Sequence, residues 1–506
     1  MNETESQLKA LNIDLKDVIA KATEKIEQLL KIDAIKEAEI LVKQLLVVDP
    51  TNAAGLQLYG LILYRQRKYH ESIEVINKAI ALDDSNAENY NNVALSYLHS
   101  GQSKEAMEAI SKARQLQFTN HNFLNNQGLI YRAMGDSRSA IVCFQNAINM
   151  VPDDVKTWEN LGSAYGHEKM LDRAIECFQK ALELDPKTLA AHVDLAYAYH
   201  LQGDWEKAWP EYEHRLEYWH SVGRNPGRFY DIYKPEFKWD GKTSLQGKTI
   251  AVYCEQGVGD MLQFVRFVPK LKELGGKVLL DCPENLATLF KEFGEVRTNY
   301  NEQGFDFHCS ILSLPYLLNM MTPDKFLSDK PYIFSDEKLD MTDYKNHFNI
   351  GICWAGNPGH PNDGNRSVPL SYFRKIYELP NVKLFSLQKD VAKRVYANRP
   401  DLEIDLAAGC DDMKLVNVSD FMTDFLGTAS VINSMDLIIT VDTSILHLAG
   451  AMGKNTWALI PFNPDWRWTL SGERTDWYAN TMLFRQPVYG DWQSVFDLIY
   501  NKLLGN

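Results

Sequence analysis

Cysteine is sparse and scattered in this sequence. Its seven cysteines (Cys143, Cys177, Cys254, Cys282, Cys309, Cys353 and Cys410) are odd in number and form no CxxC pair, so neither a disulfide framework nor a thiolate zinc site is expected. Long apolar runs are missing: no stretch approaches the roughly 18 uninterrupted apolar residues of a spanning helix, and the opening MNETESQLKALNIDLKDV is polar and acidic, unlike a secretion signal. Positive charge is also short, with 53 Lys+Arg against 67 Asp+Glu and a net charge of −14, which argues against nucleic acid as a partner because phosphate backbones are bound by basic surfaces. The expectation is a cytoplasmic protein with no membrane span.

What is present is a large globular composition, 506 residues with 45% hydrophobic and 11% aromatic, too long for one core at about 150 residues per domain. The first 220 residues repeat. VDPTNA, LDDSNA, VPDDVK and LDPKTL place Pro50, Asp84, Pro152 and Pro186 in one column, with Phe118 in the remaining slot, at a step of 34. Small residues keep the same step in three further columns: Gly60, Ala94, Gly128, Gly162, Ala196; Ser72, Ala106, Ala140, Ala174, Ala208; and Ala79, Ala113, Ala147, Ala181. Leu63 is followed by Tyr97, Tyr131, Tyr165 and Tyr199. Each unit reads as two amphipathic helices whose small residues permit close approach while the aromatic fills the space between them. Gly101, Gly135 and Gly203 fall in the intervening turns, where a positive φ suits glycine.

This pattern resembles the tetratricopeptide repeat and implies an α-solenoid over residues 16–220, behind a polar segment 1–15. Such an array serves either as a concave surface for a protein or peptide partner or as a spacer or homo-oligomer interface. Asn91, Asn92, Asn125, Asn126 and Asn160 cluster on the repeats, either to grip a peptide backbone or as a solvated face.

After a Gly- and Pro-containing linker at 221–231, the texture changes. Short apolar runs TIAVYC (249–254), KVLLDC (277–282), NIGICW (349–354), KLFSL (383–387), LIITV (437–441) and TWALI (456–460) alternate with helix-like segments, as in parallel sheets with crossover helices. Their grouping predicts one α/β domain at 232–340, a second at 341–487, and a terminal helix within 488–506. Ligands of such sheets bind beyond the carboxyl ends of the strands, and four motifs fall there. Glu255-Gln256-Gly257-Val258-Gly259-Asp260 brings backbone N–H groups and a carboxylate to a helix start, unless Asp260 serves only as its cap. In Trp354-Ala355-Gly356-Asn357-Pro358-Gly359-His360, continuing to Arg366-Ser367, the arginine is placed for a phosphate fork or for an ordinary salt bridge. Asp442-Thr443-Ser444 opens a helix that favours a diphosphate, and His447, one turn on, either donates to the same anion or packs in the core. Pro464-Asp465-Trp466-Arg467-Trp468 forms a polar aromatic loop that either joins the domains or contacts a sugar.

Taken in order, GVGD, GNPGHPNDGNRSVPL, FSLQK, VDTSILHLAGAMG and PFNPDWRW resemble the bacterial heptosyltransferases, and more closely the glycosyltransferases in which such a domain is fused to tetratricopeptide repeats. The resemblance implies a GT-B fold of two Rossmann-like domains, with the base-bearing acceptor side first and the nucleotide-sugar side second. It implies a nucleotide sugar as co-substrate, no metal, no further cofactor and inverting transfer to an acceptor hydroxyl. Asp260 then matches the base, with His447 beside it in the catalytic set. Gly257, Gly259, Asn357, Arg366, Ser367, Gln388, Asp442, Thr443, Ser444 and His447 would hold the donor, and Gln256, Trp354, Trp466 and Arg467 would face the sugar or acceptor. Ser444 stands where heptosyltransferases commonly have glycine, a departure that bears on heptose specificity. The domain order is also similar to that of the O-linked N-acetylglucosamine transferase, which points to a protein acceptor by analogy alone. Two rivals stand beside this reading: a non-catalytic scaffold with a vestigial nucleotide-sugar domain, and a sugar epimerase.

Overall fold

The computed structural model describes residues 15–223, 232–298, 304–327, 330–360, 362–389, 394–396 and 399–505; most of the polar segment and most of the expected linker lie outside them. The chain forms two compact units that divide between Ala191 and His192.

The first unit is helical. Helices α1 (Leu15–Lys31), α2 (Ile35–Val48), α3 (Ala53–Arg65), α4 (Tyr69–Leu82), α5 (Ala87–His99), α6 (Ser103–Leu116), α7 (His121–Ala133), α8 (Ser137–Met150), α9 (Val155–His167) and α10 (Leu171–Leu184) follow one another through short turns. The small columns are where helices meet. A Cβ on Gly60 would stand 2.2 Å from Ile76, on Gly128 2.5 Å from Phe144, and on Gly162 2.6 Å from Phe178. A further column starts the first helix of each pair: the side chains of Asn52, Asn86, Asn120 and Asp154 accept backbone N–H groups as N-caps, each worth about 1 kcal/mol.

The asparagines do something else than expected. Asn126 Nδ2 donates to Asn91 Oδ1 at 2.7 Å and Asn160 Nδ2 to Asn125 Oδ1 at 2.9 Å, and Asn91, Asn125 and Asn160 are buried. Their amides bond to one another between neighbouring repeats, so these three are neither a solvated face nor an open peptide grip.

The turn glycines Gly101 and Gly135 have φ of 82°, as expected, but Arg67 occupies the same place in its repeat at 62°. A left-handed backbone is disfavoured for L-residues by Cβ crowding. Because Arg67 is exposed, Arg67→Gly is expected to raise stability by roughly 0.5–1 kcal/mol; a urea titration showing no gain would refute this account of the turn.

The second unit begins with α11 (Leu189–Gln202), counted from His192, α12 (Trp205–Tyr212) and α13 (Arg215–Ser221). These helices, expected as the end of the repeat array, pack with the α/β unit. Their aromatics explain why. Trp205, Trp209 and Tyr212 share one core with Phe264, Phe326, Trp466 and Trp477. This mass of apolar surface, with the buried ring of His200 stacked on Trp466 at 4.2 Å, fixes the helices to the sheets.

Two parallel sheets follow. The first contains β1 (Thr249–Tyr253), β2 (Lys277–Asp281), β3 (Glu295–Arg297) and β4 (Phe307–Ser310), in the order β3-β2-β1-β4. The second contains β5 (Phe348–Cys353), β6 (Val382–Ser386), β9 (Val416–Asn417), β10 (Leu437–Val441), β11 (Thr456–Ile460) and β12 (Thr481–Arg485), in the order β12-β11-β10-β5-β6-β9. An antiparallel ribbon, β7 (Arg394–Tyr396) with β8 (Arg399–Ile404), is separate. The larger sheet reads 3-2-1-4-5-6 in its own numbering, the order of doubly wound dinucleotide-binding sheets, and the smaller reads 3-2-1-4. Such sheets open a crevice where the strand order reverses: beyond β1 and β4 in one, and beyond β5 and β10 in the other. The terminal helix, Trp492–Leu503, covers the second sheet with Trp492, Val495, Phe496 and Ile499. Among the described residues no helix is long and apolar enough to cross a membrane.

Candidate active site

Both reversal points face one cleft of 1270 Å³. The loops after five parallel strands, β1, β5, β6, β10 and β11, line it, so residues far apart in sequence converge because every strand ends at the same edge of its sheet. Gln256, Gly257, Gly259, Asp260, Asn357, Arg366, Gln388, Asp442, Thr443, Ser444, His447, Trp466 and Arg467 all lie on its wall.

Asp260 stands in the first turn of α14 (Val258–Phe264). One carboxylate oxygen accepts the Gly257 N–H at 2.8 Å and the other is paired with the Arg467 guanidinium. The cap reading and the cleft reading of this residue are thus both occupied by the same side chain. Burial raises its pKa above the usual aspartate range, against the opposing charge of Arg467. Arg467 reaches across from the loop after β11: its Nε donates to Gln263 and its Nη1 to Asp465 at 2.9 Å. Burial disfavours its charge, but Asp465 and Asp260 more than offset that, so it stays protonated.

His447 lies on α17 (Ser444–Ala451), the helix after β10, which follows α15 (Val268–Glu273) and α16 (Phe425–Asn433) in chain order. Its Nδ1 is 2.9 Å from the Tyr478 hydroxyl, and its Nε2 is 4.0 Å from Asp442. Burial, then Arg467, Arg266 and Arg366, hold its pKa well below the usual histidine value, so the ring is neutral. It also explains a glycine: a Cβ on Gly259 would come 2.8 Å from His447 Cδ2, and only a bare backbone lets α14 and α17 meet there. His447 is both packed and cleft-facing.

The loop after β5 is built around Arg366. Its Nη1 donates to the Asp442 carbonyl at 2.8 Å, and its Nε to buried Asp363 at 3.3 Å. This joins the two sides of the crevice. Gly356 lies against the same pair, since its Cβ would stand 2.4 Å from Asp363 and 2.5 Å from Arg366. Gln388 accepts the Ala355 N–H at 3.0 Å and so fixes the start of this loop. Asp442 has its pKa pushed up to about 6, first by burial and then by Asp465, with Arg366 opposing.

Two expectations are corrected. Trp354 is 2% exposed and packs in the core of the second sheet, because its position continues the inward register of β5. Ser367 is buried, accepting the Gly356 N–H at 3.0 Å and donating to Asp363 at 3.0 Å; it shapes the loop from behind. Neither lines the cleft. Other wall residues carried no signal that pattern reading could use: Tyr197, Leu201 and Trp219 from the helices preceding the sheets, and Met422, Thr423 and Phe425 at the start of α16. Asp465, inside the PFNPDWRW motif, lines the cleft as well.

Family models of the tetratricopeptide repeat match residues 121–154, 155–188 and 177–209, and the model of anaphase-promoting complex, cyclosome, subunit 3 matches 32–113. A curated relative, Protein FlbA of Caulobacter vibrioides, is 23% identical over 326 residues, covering 59% of this chain and 52% of its own; the match therefore spans about half the length of that relative. Similar solved structures include the APC/C hetero-tetramer Cut9-Hcn1, at 21% identity, TM-score 0.38 and 42% of each chain. Another is a thermophilic TPR protein of Thermus thermophilus, TTC0263, at 19% identity and TM-score 0.33, covering 36% of this chain and 98% of that one. The N-terminal region of the chain is accordingly an array of tetratricopeptide repeats.

Proposed function

We propose that the cleft binds a nucleotide sugar and transfers its sugar to an acceptor hydroxyl, the two sheets forming a GT-B pair, and that the repeats recruit a protein or peptide acceptor in the cytoplasm. The observation that carries this reading is the convergence of five strand-end loops on one cleft with Asp260 on one side and Arg366, Arg467 and the start of α17 on the other. In the transfer, the acceptor oxygen attacks the anomeric carbon as Asp260 takes its proton. The bond from that carbon to the phosphate oxygen breaks on the opposite face, and the nucleoside diphosphate leaves with the electron pair. An oxocarbenium-like transition state requires its departing negative charge to be offset, a task suited to Arg366 and Arg467. The pairing of Arg467 with Asp260 gives a natural order of events: donor phosphate competes for the guanidinium, and the carboxylate is released as base.

The test is a thermal-shift panel of UDP-, GDP-, ADP-, CMP- and dTDP-sugars at pH 7.5 and 5.5. At 100 times its dissociation constant a true donor stabilises by about 2.7 kcal/mol. Because the Asp442 carboxyl titrates at about 6, it loses its charge on going to the lower pH, repulsion of the diphosphate falls, and the shift is expected to grow; Asp442→Asn should level the two conditions. No shift from any donor would favour a scaffold in which the repeats alone act.

A further inference from the structure

Outside the cleft, His192, Glu211 and His214 bring their ligating atoms within 4.8 Å of one another. We infer that this trio is a site for a borderline divalent cation of the zinc class. His192 lies on α11, Glu211 on α12, and His214 at the junction with α13. The backbone explains the convergence. Beyond Pro210 the hydrogen bonds shorten to i→i−3, with Glu213 N bonded to Pro210 O and His214 N to Glu211 O, both at 3.3 Å. In that geometry side chains three apart eclipse, which sets Glu211 and His214 on one line of the helix. The facing helix supplies His192, whose Nδ1 is paired with Glu211 Oε2 and whose ring stacks on His214 at 3.8 Å and 15°; one of the two rings turns out of this stack to direct both nitrogens at one ion.

Two imidazoles and one carboxylate form the donor set of many open zinc sites, leaving a fourth position for water or an outside ligand. A cation entering here takes the place of the hydrogen bond between His192 and Glu211, and because metal ligands bind in their deprotonated forms it binds with proton release. Its place has a consequence for the cleft, because α11 and α13 also supply Tyr197, Leu201 and Trp219 to the cleft wall. Cation binding would brace that wall without touching the reacting groups.

The experiment is a calorimetric titration of the chelator-treated full chain with Zn²⁺, followed by Co²⁺ as a spectroscopic probe. One equivalent should bind, with proton release and the visible absorption of a low-symmetry nitrogen–oxygen cobalt site. His214→Ala and Glu211→Gln should each weaken binding by on the order of 100-fold while the far-ultraviolet circular dichroism stays that of the wild type. Because a variant that fails to fold says nothing of metal, the wild-type imidazole resonances provide a second measurement: two histidines should shift in step with the first equivalent. Absence of a stoichiometric Zn²⁺ event, undiminished binding in both folded variants, or unmoved imidazole resonances would each overturn the assignment.

Discussion

On the proposed transfer, Asp260→Asn is expected to lower turnover by on the order of 10²–10⁴, the usual contribution of a positioned base, while leaving donor binding nearly intact. The asparagine is chosen because of what Asp260 does structurally. Its carbonyl oxygen can still accept the Gly257 N–H that the carboxylate accepts at 2.8 Å, so the first turn of α14 keeps its cap. What is lost is basicity and the charge that faces Arg467. Since burial raises the Asp260 carboxyl above the ordinary range, the acid limb of the wild-type rate profile should likewise lie above that of a free aspartate. The measurement is kcat and KM from product formation with whichever nucleotide sugar the thermal panel selects. A variant whose kcat matches the wild type sinks the base assignment and moves attention to Asp442, the other cleft carboxylate whose pKa burial raises.

The parts of this chain that were legible in its sequence are those where a local rule decides the outcome. The 34-residue step was readable because close helix contact tolerates only small side chains, and Gly60, Gly128 and Gly162 meet Ile76, Phe144 and Phe178 where the columns require. All six apolar runs are strands, since buried parallel strands read as continuous apolar segments. β4 (FHCS) and β12 (TMLFR) carry no such run, because one is only four residues long and the other, at a sheet edge, is broken by a terminal arginine. Most residues of the cleft wall could be found because parallel topology sends every strand-end loop to the same edge. Trp354 and Ser367 could not be sorted from their neighbours, because one position along a loop decides whether a side chain faces the cleft or the core. The division at Ala191 was hidden for a different reason: the repeat register runs on through Gly203 and Ala208, while the packing of Trp205 and Trp209 is a tertiary fact that no periodicity carries.

Arg215→Ala is expected to cost about 3–5 kcal/mol, the range for removing one partner of a buried ion pair. The Arg215 side chain is fully buried and holds Glu255 through two nitrogens, Glu213 at 2.9 Å and the Ser313 hydroxyl at 3.0 Å. The Glu255 side chain is itself 1% exposed, so without the guanidinium its charge keeps only the long hydrogen bond from the Gln256 amide at 3.3 Å. The pH dependence has a definite sign. Burial alone would raise the Glu213 pKa, but Arg215 and Lys238 outweigh it and the folded value is depressed. Its stabilising contribution is therefore complete above the usual glutamate range and disappears as the pH falls through the folded value. In the alanine variant that contribution is absent and Glu213 gains from protonation, so the stability gap between variant and wild type should narrow below about pH 4.5. Arg215→Met combined with Glu255→Gln removes both charges of the main pair and should recover much of the loss, because a buried pair is worth far less against a neutral replacement than against a half-pair. Denaturant titrations of the three proteins across pH decide it; equal stability of the single and double variants would mean that packing, and not the buried charge, sets the cost. Because Glu255 immediately precedes Gln256 and Gly257, the same substitution should loosen the loop that presents Asp260, lowering the kcat of the proposed transfer along with stability.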